Sequence, residues 1–363
     1  MSDAYAAAGV DTAAGERAVE LMRASVARTM RPEVVGGFGG FAGLFDASAL
    51  HGYTRPLLAT STDGVGTKVA IAQAMDLHHT IGRDLVAMVV DDLVVCGAEP
   101  LFMTDYIACG SVVPERIADI VTGIAEGCAL AGCALLGGET AEHPGLLAPD
   151  EYDVAGAGTG VVEAAEVLGP ERVAAGDVLI GMASSGLHSN GYSLARKVLL
   201  ADAGWELTRR IDELGRTLGE ELLEPTRIYA RDCLALHEAL GTDLHALSHI
   251  TGGGIAANVA RVLPADRIAE LDRSTWAPHA VFELIGRSGG LTVADLEGTF
   301  NMGLGMVAVV AADAADDALS LLAERSVPAT VVGAVRRREP GEDGDAAAKG
   351  GGGGAARLVN SYR

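Results

Sequence analysis

The stretch VLIGMASSGLHSNGY, residues 178–192, reads as three pieces in succession. Val178 to Met182 is an apolar run of strand length, Ser184 to Gly191 is a loop of small and polar residues, and a helix begins near Tyr192. The same order, a strand, a glycine-rich loop and then a helix or another strand, recurs at Leu247 to Ala260 and at Phe300 to Ala311. Strands and helices mixed without a regular βαβ period predict an α+β fold. Ser185, Ser189 and Asn190 stand before a helix start, where free amides and short polar side chains make an anion pocket. His188 in the same loop reads as a hydrogen-bond donor, a general acid or a plain loop histidine. In the second instance His249, Thr251, Gly252 and Gly253 precede the amphipathic run Ile255 to Val262. Glycines there let a ligand touch backbone, or simply serve as a hinge into the helix.

Upstream, Leu57 to Thr60 reads as a strand running into Asp63-Gly64-Val65-Gly66-Thr67-Lys68. Thr67 precedes Lys68, so this is no Walker A loop. Its parts are nonetheless those of a phosphate site: glycine amides, a lysine point charge, and an aspartate able to hold Mg²⁺. A tight turn with solvated charges is the alternative. Asp91 and Asp92 interrupt the apolar run Leu85 to Val90 in a helix predicted over Ile81 to Cys96. Asp92 falls on the stripe of Ile81, Leu85, Met88 and Val95, so it predicts a metal ligand or a buried pair with an arginine such as Arg83. Gly137, Gly138 and Glu139 follow a strand at Ala134 to Leu136, which puts Glu139 at a strand's carboxyl end as a site residue or a turn residue. Helices are predicted over Gly15 to Met30 and Ile117 to Ala131, and Gly36 to Gly40 is a glycine-rich loop.

The 363 residues suit two domains, and the turn residues Gly169 and Pro170 mark the boundary between residues 1–169 and 170–338. Residues 339–363 contain Gly350 to Gly354 in a row and read as a low-complexity, disordered and dispensable tail. Arg336 to Arg338 before it reads as a solvated run. Lys plus Arg number 27 against 49 Asp plus Glu, a formal net charge of −22. A nucleic acid would be repelled by most of such a surface, whereas a small phosphorylated metabolite can be met by a local cluster of amides and cations. No apolar run has the 18 or so residues of a membrane span, and the opening MSDAYAAAGVD lacks the pattern of a leader, so a cytoplasmic protein is expected. Five cysteines without a C-x-x-C pair predict reduced, mostly buried thiols.

Taken in order, Ala8 to Asp11, Arg31 to Val34, Gly36 to Gly40, Thr62 to Lys68, Asp84 to Met88, Asp92 to Val94, Gly97 to Leu101, Gly123 to Cys128, Gly137 to Glu142, Asp153 to Gly156, Ser184 to Leu194, Pro225 to Tyr229, Thr251 to Gly254 and Thr299 to Asn301 resemble the aminoimidazole ribonucleotide synthetase family, the phosphoribosylformylglycinamidine cyclo-ligases. The resemblance implies a two-domain α+β subunit whose N-terminal domain pairs in a homodimer and whose C-terminal domain holds a mixed sheet with helices. It implies ATP-dependent closure of formylglycinamidine ribonucleotide to aminoimidazole ribonucleotide, with release of ADP and phosphate. Carried over residue by residue, it assigns Asp63 and Asp92 to Mg²⁺, Gly64, Val65, Gly66, Thr67 and Lys68 with Gly137 and Gly138 to ATP, and Glu139 to metal or substrate. Lys68, Asp92, Glu139 and His188 become the candidate catalytic residues. Ser185, Ser189, Asn190, His249, Thr251, Gly252 and Gly253 become candidates for the phosphorylated ribonucleotide. Asp91 stands where the family pattern has Asn, His143 where it has Met, and Arg23 where some members have Lys. Sibling enzymes of the same superfamily and a non-catalytic ATP sensor are the competing readings.

Overall fold

The computed structural model describes residues 11–36 and 40–363; Ala8, Gly9, Val10 and the centre of the glycine loop, Gly37, Phe38 and Gly39, lie outside the described residues. The chain divides into two compact units. One holds the described residues up to Leu93 with Ala98–Ala165, the other Val94–Gly97 with Glu166–Arg363.

The first unit is built on a sheet of β1 (Pro56–Gly64), β2 (Glu99–Cys109), β3 (Ala134–Glu142) and β4 (Tyr152–Glu163), ordered β1-β4-β2-β3. Only β2 and β3 run parallel; β4 is antiparallel to both its neighbours. Its helices are α1 (Thr12–Ala27), α2 (Val69–Met75), α3 (His79–Val94) and α4 (Pro114–Ala131). Asp11 caps α1 by accepting the amides of Ala13 and Ala14, and Pro114 starts α4 where a missing N–H costs nothing. α4 buries Ile117, Ile120, Val121, Ile124 and Cys128 along one face. α3 is different: every residue from Leu85 to Val90 is buried, so it is a core helix with no solvent face there.

The second unit is a six-stranded mixed sheet of β5 (Val178–Ala183), β6 (Leu244–His249), β7 (Arg267–Asp272), β8 (Leu304–Val310), β9 (Ala329–Arg337) and β10 (Ala355–Val359), ordered β6-β8-β5-β9-β7-β10. β7 and β10 are parallel and the other pairs antiparallel. α5 (Tyr192–Arg196), α6 (Ala230–Leu240), α7 (Gly254–Arg261), α8 (Ala280–Gly289) and α9 (Ala315–Glu324), with the short helices Leu218–Leu222 and Val293–Glu297, complete it. All seven residues of β8 are buried, as expected of an interior strand covered on both faces.

β10 corrects the expectation of a disordered tail. Ala355, Ala356 and Leu358 are core residues, and the Gly354 amide donates to the carbonyls of Ala260 and Leu263. A Cβ on Gly354 would stand 2.5 Å from the carbonyl oxygens of Arg267 and Pro264, so glycine is what lets this segment lie against the backbone. Within the solvent-facing run Arg336 to Arg338, the Arg336 guanidinium holds Glu270 and Glu342 at 2.8 and 2.6 Å and ties the tail's first turn to β9. All five cysteines are free, and four of them are buried. Among the described residues no helix is long and apolar enough to cross a membrane.

Candidate functional site

In the first unit the strand read over Leu57 to Thr60 runs on through Asp63 and Gly64, which end β1; Val65 and one tight turn over Gly66–Lys68 then lead into α2. Asp63 accepts the Gly64 amide at 2.7 Å. The Val65 side chain is buried and its amide reaches the Val154 carbonyl, so Gly66 and Thr67 form the exposed part of the motif. Lys68 departs from the expectation of a phosphate ligand. Its side chain is 0% exposed, and its Nζ lies 2.8 Å from Oδ1 of the equally buried Asp84 on α3. The ammonium faces the interior because two charges inside a core must neutralise each other.

The paired aspartates are reversed from the expected order: Asp91 is fully buried and Asp92 is exposed. An apolar stripe fixes the phase of a helix only when another face is wet, and α3 has none between Leu85 and Val90. Asp84 and Asp91, seven residues apart, share the inner side of α3. Asp92 is exposed and Asp63 half-buried, two hard oxygen donors, the number Mg²⁺ takes from protein when phosphate oxygens and waters supply the rest. No group of three His, Cys, Asp or Glu side chains arranged for a metal occurs among the described residues.

Gly137, Gly138 and Glu139 are not a loop after a strand. They lie within β3, which continues to Glu142 with Tyr106 of β2 opposite Glu139. Glu139 is exposed on this edge strand. Gly138 is required by what faces it: a Cβ would come within 2.3 Å of Oδ1 of Asp105. His143 places Nε2 3.1 Å from the Tyr106 hydroxyl, a use of the imidazole that methionine lacks.

Asp105 was missed from sequence, although its signal is there in Met103, Asp105 and Ile107, an inward-facing alternation along β2. Burial pushes its carboxyl up to about 7. The same group titrates near 4 in an unfolded chain. The native state thus retains a proton that the unfolded state releases, a contribution complete below about pH 4 and lost as pH rises through 7. Asp105→Asn is expected to melt like the wild type at pH 4 and to be more stable at pH 8 by up to roughly 4 kcal/mol. Melting curves at both pH values decide it, and a stability difference that does not grow with pH would refute the buried acid.

In the second unit the two glycine-rich loops expected to bind a ligand are brought together. Asn190 Oδ1 accepts the Gly252 amide at 3.0 Å. Asn258 on α7 donates to the carbonyls of Thr251 and Gly254, fixing the turn into that helix. Ser184 and Asn301 both donate to the Gly186 carbonyl, and Ser185 donates to that of Pro225. Asn301 is buried between Ser184 and the Gly303 amide, a brace that its polar character inside an apolar stretch hinted at. His249 ends β6 as a buried residue.

His188 proves to be a brace as well. It is 1% exposed, holds a positive φ of 63°, and its Nε2 accepts the Ser185 amide at 3.1 Å. An imidazole nitrogen that accepts an amide carries no proton, so the Nε2 contact braces the loop, and a proton on the neutral ring sits on Nδ1. Its ring lies 6.1 Å from that of Tyr229, whose hydroxyl donates to the Ala183 carbonyl at the end of β5.

This pair of units is that of the AIR synthase related proteins: residues 46–162 match their N-terminal domain and residues 174–342 their C-terminal domain. The chain is 51% identical over 339 residues to a phosphoribosylformylglycinamidine cyclo-ligase of Brevibacillus brevis, spanning 93% of this chain and 97% of that one. The corresponding protein of Shouchella clausii is 52% identical over 340 residues, with the same coverage. The chain belongs to the phosphoribosylformylglycinamidine cyclo-ligase family. Solved structures share the fold at lower identity. A thiamine-monophosphate kinase from Stenotrophomonas maltophilia gives a TM-score of 0.61 at 20% identity over 94% of this chain and 96% of that one. A hydrogenase maturation protein HypE in complex with ATP gives 0.59 at 17% identity over 95% and 91%.

Proposed function

We infer that the protein closes the imidazole ring of aminoimidazole ribonucleotide from formylglycinamidine ribonucleotide at the expense of ATP, in purine biosynthesis. The observation that carries this reading is the end-to-end relation to cyclo-ligases at about half identity, far above the 20% shared with the kinase of the same fold. ATP phosphorylates the formyl amide oxygen, a substrate nitrogen attacks the same carbon, and phosphate leaves as the ring closes. Such chemistry asks a protein mainly to position the reactants and to balance charge.

The exposed Gly66 and Thr67 lie toward the nucleotide phosphates, and Asp63 and Asp92 would hold Mg²⁺ on them. The ion, when bound, neutralises phosphate charge. Glu139, on the edge strand β3 at the other side of the sheet from β1, would contact metal or substrate, and the second unit's Ser185, Ser189, Asn190 and Thr251 to Gly253 would bind a substrate phosphate or the nucleotide. Lys68 and Asp84 keep α2 and α3 in register beneath this surface. A homodimer through the first unit, in the cytoplasm, completes the reading. The exposed Leu57 and Leu58 on the edge strand β1 support the pairing, which sedimentation equilibrium tests.

ADP release with formylglycinamidine ribonucleotide alone, without ammonia, glutamine or selenide, is the test of the reaction. Turnover is expected only with that substrate, and ADP release indifferent to it would sink the reading. Asp92→Asn sharpens the test: its Mg²⁺ dependence is expected to shift at least tenfold upward while its melting temperature holds, since an exposed carboxylate has little part in packing. An unchanged Mg²⁺ titration would remove Asp92 from the metal site.

A further inference from the structure

We propose that Tyr229 is a positioning residue for the reaction: without touching substrate it holds, through His188, the loop of residues 184–191 in the form that binds the ribonucleotide phosphate. The proposal rests on the assignment of Ser189, Asn190 and Thr251 to Gly253 to a phosphate under the proposed function. Tyr229 is the largest wholly buried side chain among the described residues, and its carbonyl accepts the Asp232 and Cys233 amides at 2.9 Å, so α6 fixes its place. Its hydroxyl donates to the Ala183 carbonyl at 2.7 Å, where β5 runs into the loop. The Ser185 hydroxyl donates to the Pro225 carbonyl, also at 2.7 Å, so residues 225–229 grip the start of the loop twice.

His188 carries that grip further along the loop. A residue with a Cβ takes the left-handed conformation at a cost, and His188, at φ 63°, keeps it in a setting that over-determines it. One ring nitrogen accepts the Ser185 amide, and the ring packs beside that of Tyr229. The seat for both rings is a missing side chain: a Cβ on Gly305 would overlap the Tyr229 hydroxyl and stand 2.5 Å from Cε1 of His188. Gly305 is also the extra residue of a β-bulge, since Leu304 pairs with Ala183 and Met306 with Met182. Bulges recur beside active sites, where they re-aim side chains. Toward β6 the Gly305 carbonyl accepts the Ile250 amide at 2.9 Å, directly before Thr251. One contact of tyrosine, histidine and glycine therefore sets both loops, and Asn190 closes the arrangement by accepting the Gly252 amide. An element that only holds a remote phosphate in place serves ground state and transition state alike, so its loss is read in KM rather than kcat.

The test joins steady-state kinetics of the full-length enzyme, with formylglycinamidine ribonucleotide and ATP varied separately, to amide hydrogen exchange, for Tyr229→Phe, Gly305→Ala and Asn190→Ala. Tyr229→Phe is expected to raise KM for the ribonucleotide about fivefold, the loss of one hydrogen bond, with kcat within about twofold and KM for ATP unchanged. Exchange at residues 185–191 and 250–254 should quicken about tenfold while the strands keep their rates. Gly305→Ala, whose Cβ displaces the same hydroxyl, should show the same split between KM and kcat. If Tyr229→Phe leaves exchange and both KM values alone while Asn190→Ala raises that of the ribonucleotide, the loop's assignment stands and Tyr229 has no positioning part. If exchange quickens but neither Tyr229→Phe nor Asn190→Ala moves the ribonucleotide KM, the phosphate assignment of the loop falls, and the proposal with it. A rise confined to ATP, or a fall in kcat with both KM values unchanged, would overturn it as well.

Discussion

Removing residues 339–363 is expected to unfold the second unit. The sheet would lose β10, and with it the parallel ladder that runs from Ile268 opposite Ala355 to Asp272 opposite Val359. Burial of Leu358 is worth about 2 kcal/mol and each ladder hydrogen bond about 1 kcal/mol, so the loss exceeds about 5 kcal/mol and rivals the stability of a whole domain. Further contacts go with it. Tyr362 donates to Glu297 at 2.7 Å and meets the Trp276 ring edge-on, and Arg273 donates to the Leu358 carbonyl at 2.5 Å. The measurement is thermal and denaturant unfolding of the chain ending at Arg338 beside the full chain, with Leu358→Ala as a milder variant expected to cost about 2–3 kcal/mol. Coincident unfolding curves for the full and shortened chains would show that β10 contributes nothing.

The second large effect is expected at the buried ion pair. Lys68→Met leaves Asp84 without its cation in a place with no exposure, and breaking such a pair costs about 3–5 kcal/mol. Adding Asp84→Leu to Lys68→Met removes the stranded charge, so the double variant should recover much of the loss. Unfolding free energies of the two single variants and the double variant close the cycle. Wild-type stability in Lys68→Met, accompanied by a weaker ATP interaction, would return the lysine to the phosphate-binding role that its motif suggests.

Much of the architecture was readable from local pattern, and what escaped did so for identifiable reasons. The alternation of strand, glycine loop and helix at residues 178–192 announced β5, its loop and α5, because a glycine cluster between apolar runs marks a break in regular structure. The same rule failed at Gly137 and Gly138, where two glycines continue a strand and, at Gly138, Asp105 occupies the space a side chain would take. Asp63, Asp92, Thr251 and Asn190 stand out in the sequence as polar residues in conspicuous surroundings, but their exposure is not readable there. Asp91 and Asp92 differ by one step of a helix whose apolar residues point in every direction, so the sequence holds no phase there. Glycine composition around residues 350–354 hid the five-residue strand immediately behind it. The contact of Lys349 with Thr251, 98 residues away in the chain, escaped for the same cause.

The strand order of the second unit also bears on how the sheet is assembled. β5, its first long strand, sits between β8 and β9, so Met182 must find Ala329 and Ala183 must find Leu304 before the middle of the sheet exists. Neither neighbour is reached by a hairpin, and each pairing closes a loop of more than a hundred residues, whose entropy is lost before the ladder repays it. Refolding of this unit should therefore be slow, on the scale of seconds or longer rather than the microseconds of local folds. Until β8 and β9 arrive, β5 offers two open, apolar edges to any other chain in the same condition. Dilution during refolding, more than any change of temperature, should decide how much native enzyme is recovered.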